Sequence, residues 1–277
     1  MNKRFSFTIN AIAIAFVAVF IEQVGHESSH GFLATLVGAE WTQLNLFFAE
    51  HEWIGRRTAE SLRLGGGIIA GGAAIINILL ALASMVLFKK TTSSTLRLFW
   101  FYMAALNLFA GFGYLFTDPL FYQRDGRNLG DWKFVVELLG GGWNVRLPIA
   151  LVGAAGVLWG FMWVGRNAHA FLPGDKPTRL QTSIRLLLIP YIAISLIFTL
   201  LAFAGPVKEI APIIAIKYWF GFFGIGWGAF MAGMWISAPA ELGRSEVSRS
   251  IHWGWVTASI LLLGIAVFIL LPTIQFS

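Results

Sequence analysis

Long runs of apolar residues, separated by short polar stretches, make up most of the chain. Each run approaches or exceeds the roughly 20 residues that an α-helix needs to cross the hydrocarbon core of a bilayer. We therefore predict seven transmembrane helices, over residues 6–38, 64–88, 96–116, 147–164, 186–204, 211–236 and 253–271.

The segment between the first two predicted helices, residues 39–64, has a different pattern. Leu44, Leu46 and Phe48 fall at every second position, a spacing typical of a strand rather than a helix. The predicted fold class is an all-α polytopic membrane protein, with a short strand, a hairpin or a re-entrant loop between helices 1 and 2.

Composition supports a multi-pass protein in a lipid bilayer. The chain is 57% hydrophobic and 12% charged, whereas soluble domains are about 25% charged. Its net charge of +6 comes from basic residues scattered over the loops, where they act as topology signals, so we predict no nucleic-acid partner. The absence of cysteine excludes disulfides, thiolate metal sites and a cysteine nucleophile.

The first apolar run contains the sequence His26-Glu27-Ser28-Ser29-His30. On a helix, His26 and His30 project from one face, one turn apart, so that both imidazoles reach one metal ion. Glu27 points to the edge of that face, close enough to take a proton from a zinc-bound water without binding the zinc itself. The pattern predicts a Zn²⁺ site with Glu27 as general base; the alternative is a set of buried polar residues bonded to neighbouring helices.

Two polar residues lie one turn below this motif. Glu22 is four positions before His26, and a carboxylate there could accept the free N–H of that ring. Gln23 is placed in the same way below Glu27. We predict that both support the metal site; an equally good interpretation of Glu22 is a polar residue facing the bundle interior.

A catalytic zinc normally has three protein ligands and one open position. Since the chain has no cysteine, a carboxylate from a distant segment is the natural third ligand, and the stretch after helix 3 offers Asp118, Asp125 and Asp131. Asp125 has basic neighbours and reads as a solvated turn. Asp118 precedes a proline and could end the helix, and Asp131 could cap a short apolar segment. All three remain open at this point.

These features resemble the site-2 protease family of intramembrane zinc metalloproteases. The helix-2 run from Gly72 to Asn77 keeps that family's small residues and asparagine but lacks its proline. Asn107, followed by Gly130-Asp131-Trp132, is similar to a divergent bacterial branch of the family. The resemblance covers about residues 10–135.

The resemblance implies a peptidase of a bacterial inner membrane that hydrolyses a transmembrane protein substrate. It makes Asp131 the first choice for third zinc ligand and Asp118 the second, and it implies that Asn77 or Asn107 binds the substrate backbone or the oxyanion. Residues 1–140 would form the metallopeptidase-like core, and residues 141–277 would add helices to the same membrane domain.

Three other functions compete with this prediction. The chain could be an inactive metal-binding scaffold or sensor of the same fold, or a transporter that moves protons along Glu22, Glu27 and the histidines. A haem protein is disfavoured, because His26 and His30 on one helix face cannot bind opposite sides of one iron.

Overall fold

The computed structural model describes residues 3–123, 130–173, 175–237 and 250–276. Within these residues, seven helices are long and apolar enough to cross a membrane: Phe5–Leu36, Ala59–Lys90, Ser94–Phe121, Trp143–Phe171, Lys176–Ala204, Lys208–Trp235 and Trp253–Leu270. The protein is therefore an integral, multi-pass, all-α membrane protein, as predicted.

The first three spans are continuous helices, α1 (Lys3–Leu36), α2 (Ala59–Lys90) and α3 (Ser94–Phe121). α2 and α3 extend beyond both of their predicted ends. α2 begins at Ala59 because the Thr58 side chain caps it, accepting a hydrogen bond from the Ser61 amide at 3.2 Å.

Helix α3 continues through Thr117 and Pro119, where the sequence had indicated a turn. Its last carbonyls have a side-chain partner, since Arg146 donates to the Pro119 oxygen at 2.6 Å and to the Leu120 oxygen at 2.9 Å. These bonds satisfy acceptors that an unpaired helix end would expose. Asp118 accordingly lies inside the helix.

The remaining spans are interrupted more often than the apolar pattern suggested. A short helix α4 (Trp132–Leu138) precedes α5 (Trp143–Asn167). The fifth span joins α6 (Lys176–Ser183) to α7 (Ile189–Ala204) through a π-helical turn, so much of the loop predicted over residues 166–185 is helix. Asp175 explains the early start, because its carboxylate accepts from the Thr178 amide at 3.2 Å and caps α6.

The sixth span consists of α8 (Ala211–Ile216) and α9 (Phe223–Phe230), with π-helical turns at Lys217–Gly221 and Met231–Trp235. The seventh is α10 (Trp253–Ile265), extended by a π-helical turn at Ala266–Leu270.

The segment between α1 and α2 forms the predicted hairpin. Strands β1 (Ala39–Leu44) and β2 (Ala49–Trp53) pair antiparallel, with an irregularity in register between Trp41 and Gln43. A strand that we did not predict, β3 (Ile274–Gln275), adds to the other edge of β1 and gives the order β2-β1-β3.

Helix α1 occupies the middle of the bundle. It packs against α2, α3, α7, α10 and the hairpin. Most of its apolar half is buried, and Ala11, Ile14 and Ala18 are 0% exposed. The same burial continues through the polar half, where Glu22, Gln23, His26 and Glu27 are each at most 6% exposed. The architecture thus places the His-Glu motif in the protein interior, away from lipid.

Candidate metal centre

In the C-terminal half of α1, two histidines of the same helix meet an aspartate that is distant in sequence. The Oδ2 atom of Asp131 lies 3.0 Å from His26 Nε2 and 3.4 Å from His30 Nε2. One ligand atom from each of the three residues lies within 4.8 Å of the other two. This is the only group of three or more potential metal ligands found in the described ranges.

A backbone carbonyl orients His30. Its Nδ1 atom lies 3.0 Å from the Ile69 oxygen on α2. Since a carbonyl can only accept, Nδ1 donates to it, and Nε2 is the ring nitrogen that faces Asp131. Such an outer hydrogen bond is the usual way in which a metal-binding imidazole is held.

Asp131 immediately precedes α4, at the N-cap position, yet its side chain makes no capping hydrogen bond. Asp118 does the capping instead, because its Oδ2 atom accepts from the Trp132 amide at 2.9 Å. Gly130 permits this approach: its φ is +98°, and the Asp118 carboxylate fills the space that a Cβ would need. Asp118 therefore holds the segment that carries Asp131, and it is not a member of the three-residue cluster. Asp125 lies outside the described residues.

The charge state of Asp131 suits a metal ligand. Burial alone would raise its pKa, but the charge on His30 and the hydrogen bonds from both imidazoles outweigh burial and lower the pKa below its ordinary value. The carboxylate is therefore ionised at neutral pH.

The donor set fits zinc. Two imidazole nitrogens and one carboxylate oxygen are among the ligand combinations of catalytic zinc. Donors about 2.0–2.2 Å from one tetrahedral ion are separated by roughly 3.3–3.6 Å, close to the 3.0 and 3.4 Å that separate Asp131 from the two histidines. The two separations from Asp131 thus fit one shared ion, and all three ligand atoms lie within 4.8 Å of one another.

Glu27 is held beside this cluster by Gln23. The Gln23 Nε2 atom donates to Glu27 Oε1 at 2.7 Å and to the Leu46 carbonyl at 3.0 Å. The placement of Gln23 one turn below Glu27 thus produces a direct hydrogen bond. The carbonyl of Leu46, from the turn between β1 and β2, fixes the second N–H of the same amide.

Glu22 has a different partner from the one expected. Its Oε1 atom accepts from Asn77 Nδ2 at 3.1 Å, which joins α1 to α2. In the described part of the chain, Glu22 Oε2, His26 Nδ1 and Asn77 Oδ1 are buried without a hydrogen-bond partner. Asn77 therefore uses its donor on a carboxylate of α1.

The structure does not bring Asn107 to the cluster by any recorded contact. Its side chain is fully buried and donates to the Met103 carbonyl of its own helix at 2.8 Å. It lies two helical turns, about 10 Å along the axis, before Tyr114, the residue of α3 whose ring stacks on His26.

Two neighbours of the cluster were missed in the sequence. The Tyr114 ring stacks on the His26 ring, with centroids 5.3 Å apart and planes 9° apart. Lys217, in the sixth span, donates to Gln23 Oε1 at 2.7 Å and lies 5.7 Å from the Tyr114 ring centre. Lys217 could have been singled out from the sequence, because it is a lone charge inside a long apolar run.

No family model, no curated protein and no solved structure matches this chain. The likeness to site-2 proteases therefore stays a prediction made from the motifs.

Proposed function

We propose that the protein is a zinc-dependent membrane peptidase that hydrolyses a peptide bond in or near a transmembrane segment. One observation carries the proposal: the two histidines of a His-Glu-x-x-His helix meet a carboxylate from a distant segment, with a buried glutamate adjacent. This is the arrangement that metal-assisted hydrolysis requires.

In this mechanism His26, His30 and Asp131 would hold the zinc, which would supply the acidification of a water molecule and the polarisation of the substrate carbonyl. Glu27 accepts the proton of the attacking water and later delivers it to the leaving amine. Its Oε1 atom is occupied by Gln23, which leaves Oε2 to carry the proton.

The position of the cluster favours a substrate bond near one membrane surface. His30 lies six residues before the end of α1, which corresponds to about 9 Å of helix. The substrate that we propose is the end of a transmembrane protein segment, unwound to expose a peptide bond. On the motif resemblance we place the protein in a bacterial cytoplasmic membrane.

The test begins with zinc content. We expect about one zinc per chain in purified protein reconstituted in lipid nanodiscs, measured by elemental mass spectrometry. Glu27→Gln should retain the zinc, because Glu27 is not a ligand, whereas His26→Ala should lose it. An absence of zinc in the wild type, prepared without chelators, would contradict the proposal.

Activity is then measured on synthetic single-span peptides that carry a Gly-Pro pair near one membrane surface, with products identified by mass spectrometry. We expect cleavage by the zinc-loaded protein and a loss of at least about 100-fold in Glu27→Gln, the range expected for removal of a general base. Stoichiometric zinc without cleavage of any peptide in the panel would favour a metal-binding scaffold instead.

A further inference from the structure

A charged residue from the sixth span reaches the candidate site. Lys217 is half-buried and opens a π-helical turn, a local widening that is frequent at functional positions. Its Nζ atom donates to Gln23 Oε1 at 2.7 Å. A cation inside a membrane span is costly and usually has a functional reason.

The four hydrogen bonds of Gln23 fix the orientation of its amide. Lys217 can only donate and the Leu46 carbonyl can only accept. The oxygen of Gln23 therefore faces the sixth span, where Tyr218 also donates to it at 2.8 Å. The nitrogen must face Leu46 and Glu27, which it contacts at 3.0 and 2.7 Å. No other orientation satisfies all four partners.

A continuous path of hydrogen bonds thus runs from Lys217 through the Gln23 amide to Glu27. A charge-assisted bond is roughly twice as strong as a neutral one, and a positive charge at the carbonyl end polarises the amide toward its N–H groups. The effect at the far end is a stronger donor, held in one direction, against Glu27 Oε1.

We propose that Lys217 is a positioning residue for the reaction: it locks Gln23, and through Gln23 it holds the Glu27 carboxylate in its working orientation. This inference rests on the proposed peptidase function. It gives the C-terminal spans a part in the site, although every residue of the motif lies near the N-terminus.

The alternative is that Lys217 only ties the sixth span to α1. The two roles differ in what they change. A tie would disturb the whole site, zinc content and substrate binding included, whereas a positioning residue would lower kcat and leave substrate binding and zinc content in place.

The experiment compares Lys217→Met, Lys217→Arg, Gln23→Leu and the double variant Lys217→Met/Gln23→Leu. The probe is the single-span peptide that the wild type cleaves best. We expect Lys217→Met to lower kcat about 10- to 100-fold, the range expected when a reacting group is displaced by about 1 Å. KM should stay within about twofold and zinc per chain should be unchanged, while Lys217→Arg restores most of kcat because it keeps the charge.

Dependence on Gln23 is tested by the double variant. Because Lys217 acts through Gln23, the lysine substitution should not reduce kcat further in the Gln23→Leu background. Melting temperature supplies a readout that needs no turnover: Lys217→Met should lower it when Gln23 is present and change it little in the Gln23→Leu background.

Two controls separate charge from position. Tyr218→Phe removes the neutral donor to the same oxygen and should lower kcat less than Lys217→Met does. Lys208→Met makes the same chemical change at an exposed position at the start of the same span and should have wild-type kinetics.

The possible failures are distinct. A wild type that binds zinc but cleaves no peptide removes the proposed function and this role with it. A wild type that cleaves, with Lys217→Met equally fast, overturns the role of Lys217 alone. If Lys217→Met loses zinc, or if it lowers kcat by the same factor in the Gln23→Leu background as in the wild type, the role of Lys217 is structural instead.

Discussion

Asp118 and Asp131 approach the same centre from opposite ends of one connection, and their carboxylates have different surroundings. Asp131 faces two imidazoles, whereas Asp118 accepts the backbone N–H of Trp132. The first arrangement is that of a ligand. The second fixes the backbone next to the ligand, which is how outer residues tune a metal site.

Separate substitutions of the two aspartates distinguish these roles. Asp131→Asn removes the charged donor and should abolish stoichiometric zinc. Asp118→Asn keeps an acceptor of the same shape, so we expect about one zinc per chain with an affinity reduced by about 10-fold, within the range for loss of an outer partner. Competition with a chelator of known zinc affinity measures both. Zinc lost in Asp118→Asn and kept in Asp131→Asn would reverse the assignment.

A site residue could be predicted from the sequence when the pattern that identifies it lies within a few neighbouring positions of the chain. His26, Glu27 and His30 lie within one and a half turns of a helix, so helical geometry alone places them together. Asp131 is brought in by chain folding; the residues alone left it as one of three aspartates, and only the family resemblance made it the first choice. The expected site for Asn107 relied on that resemblance and the expected Glu22–His26 bond on helical spacing, and the structure gives Asn107 and Glu22 other partners.

At the scale of elements, α4 depends on a close approach to α2. Gly71 of α2 faces Val135 of α4, and an added Cβ at Gly71 would come within 2.5 Å of the valine Cγ2 atom. Gly67, one turn earlier, faces Leu138 at the other end of α4. The small residues of α2 therefore set the position of the helix that begins directly after Asp131.

A larger side chain at Gly71 should therefore weaken zinc binding without touching a ligand. We expect Gly71→Val to push α4 away from α2 and to reduce zinc affinity about 10-fold or more, by moving the Asp131 carboxylate off the shared position. Gly66→Val is the matched control, because it makes the same change in the same helix where no atom lies within 4 Å of an added Cβ. Equal zinc affinities in the two variants would contradict this account of α4.

The elements themselves were predictable to different degrees. The spans follow from hydrophobic length, and a hairpin was one of the alternatives for the connection between α1 and α2; the structure confirms both. The alternation of Leu44, Leu46 and Phe48 did not mark a strand, because Leu46 and Phe48 lie in the turn between β1 and β2. The π-helical turns and the position of α4 are set by packing between segments. The apolar pattern of a single segment carries no information about that packing. The extension of α3 past Pro119 depends on Arg146, a residue of the following span.

At the scale of the whole molecule, the candidate site lies at one end of the bundle. The hairpin follows α1, α4 follows α3, and β3 follows the last span. β3 pairs with β1, and Asn45 of the hairpin turn donates to the Leu271 carbonyl and to Thr273 Oγ1, each at 2.9 Å. These contacts join two connections of the same end of the bundle, the hairpin and the segment after the last span.

Seven crossings assign each connection between spans to one side of the membrane. Single cysteines introduced into these connections can report that side, because the chain has no native cysteine. Exposed positions Arg56 and Pro206 follow odd-numbered spans, and exposed Thr92 follows the second. A membrane-impermeant maleimide added to sealed vesicles of one orientation should label Arg56→Cys and Pro206→Cys together and Thr92→Cys only after permeabilisation, or the reverse.

A chelator confined to the Arg56 side should remove zinc faster than the same chelator on the opposite side, because the cluster of His26, His30 and Asp131 lies at that end. Joint labelling of Arg56→Cys and Thr92→Cys in intact vesicles would contradict the seven-span arrangement, and equal zinc loss from both sides would contradict the placement of the site.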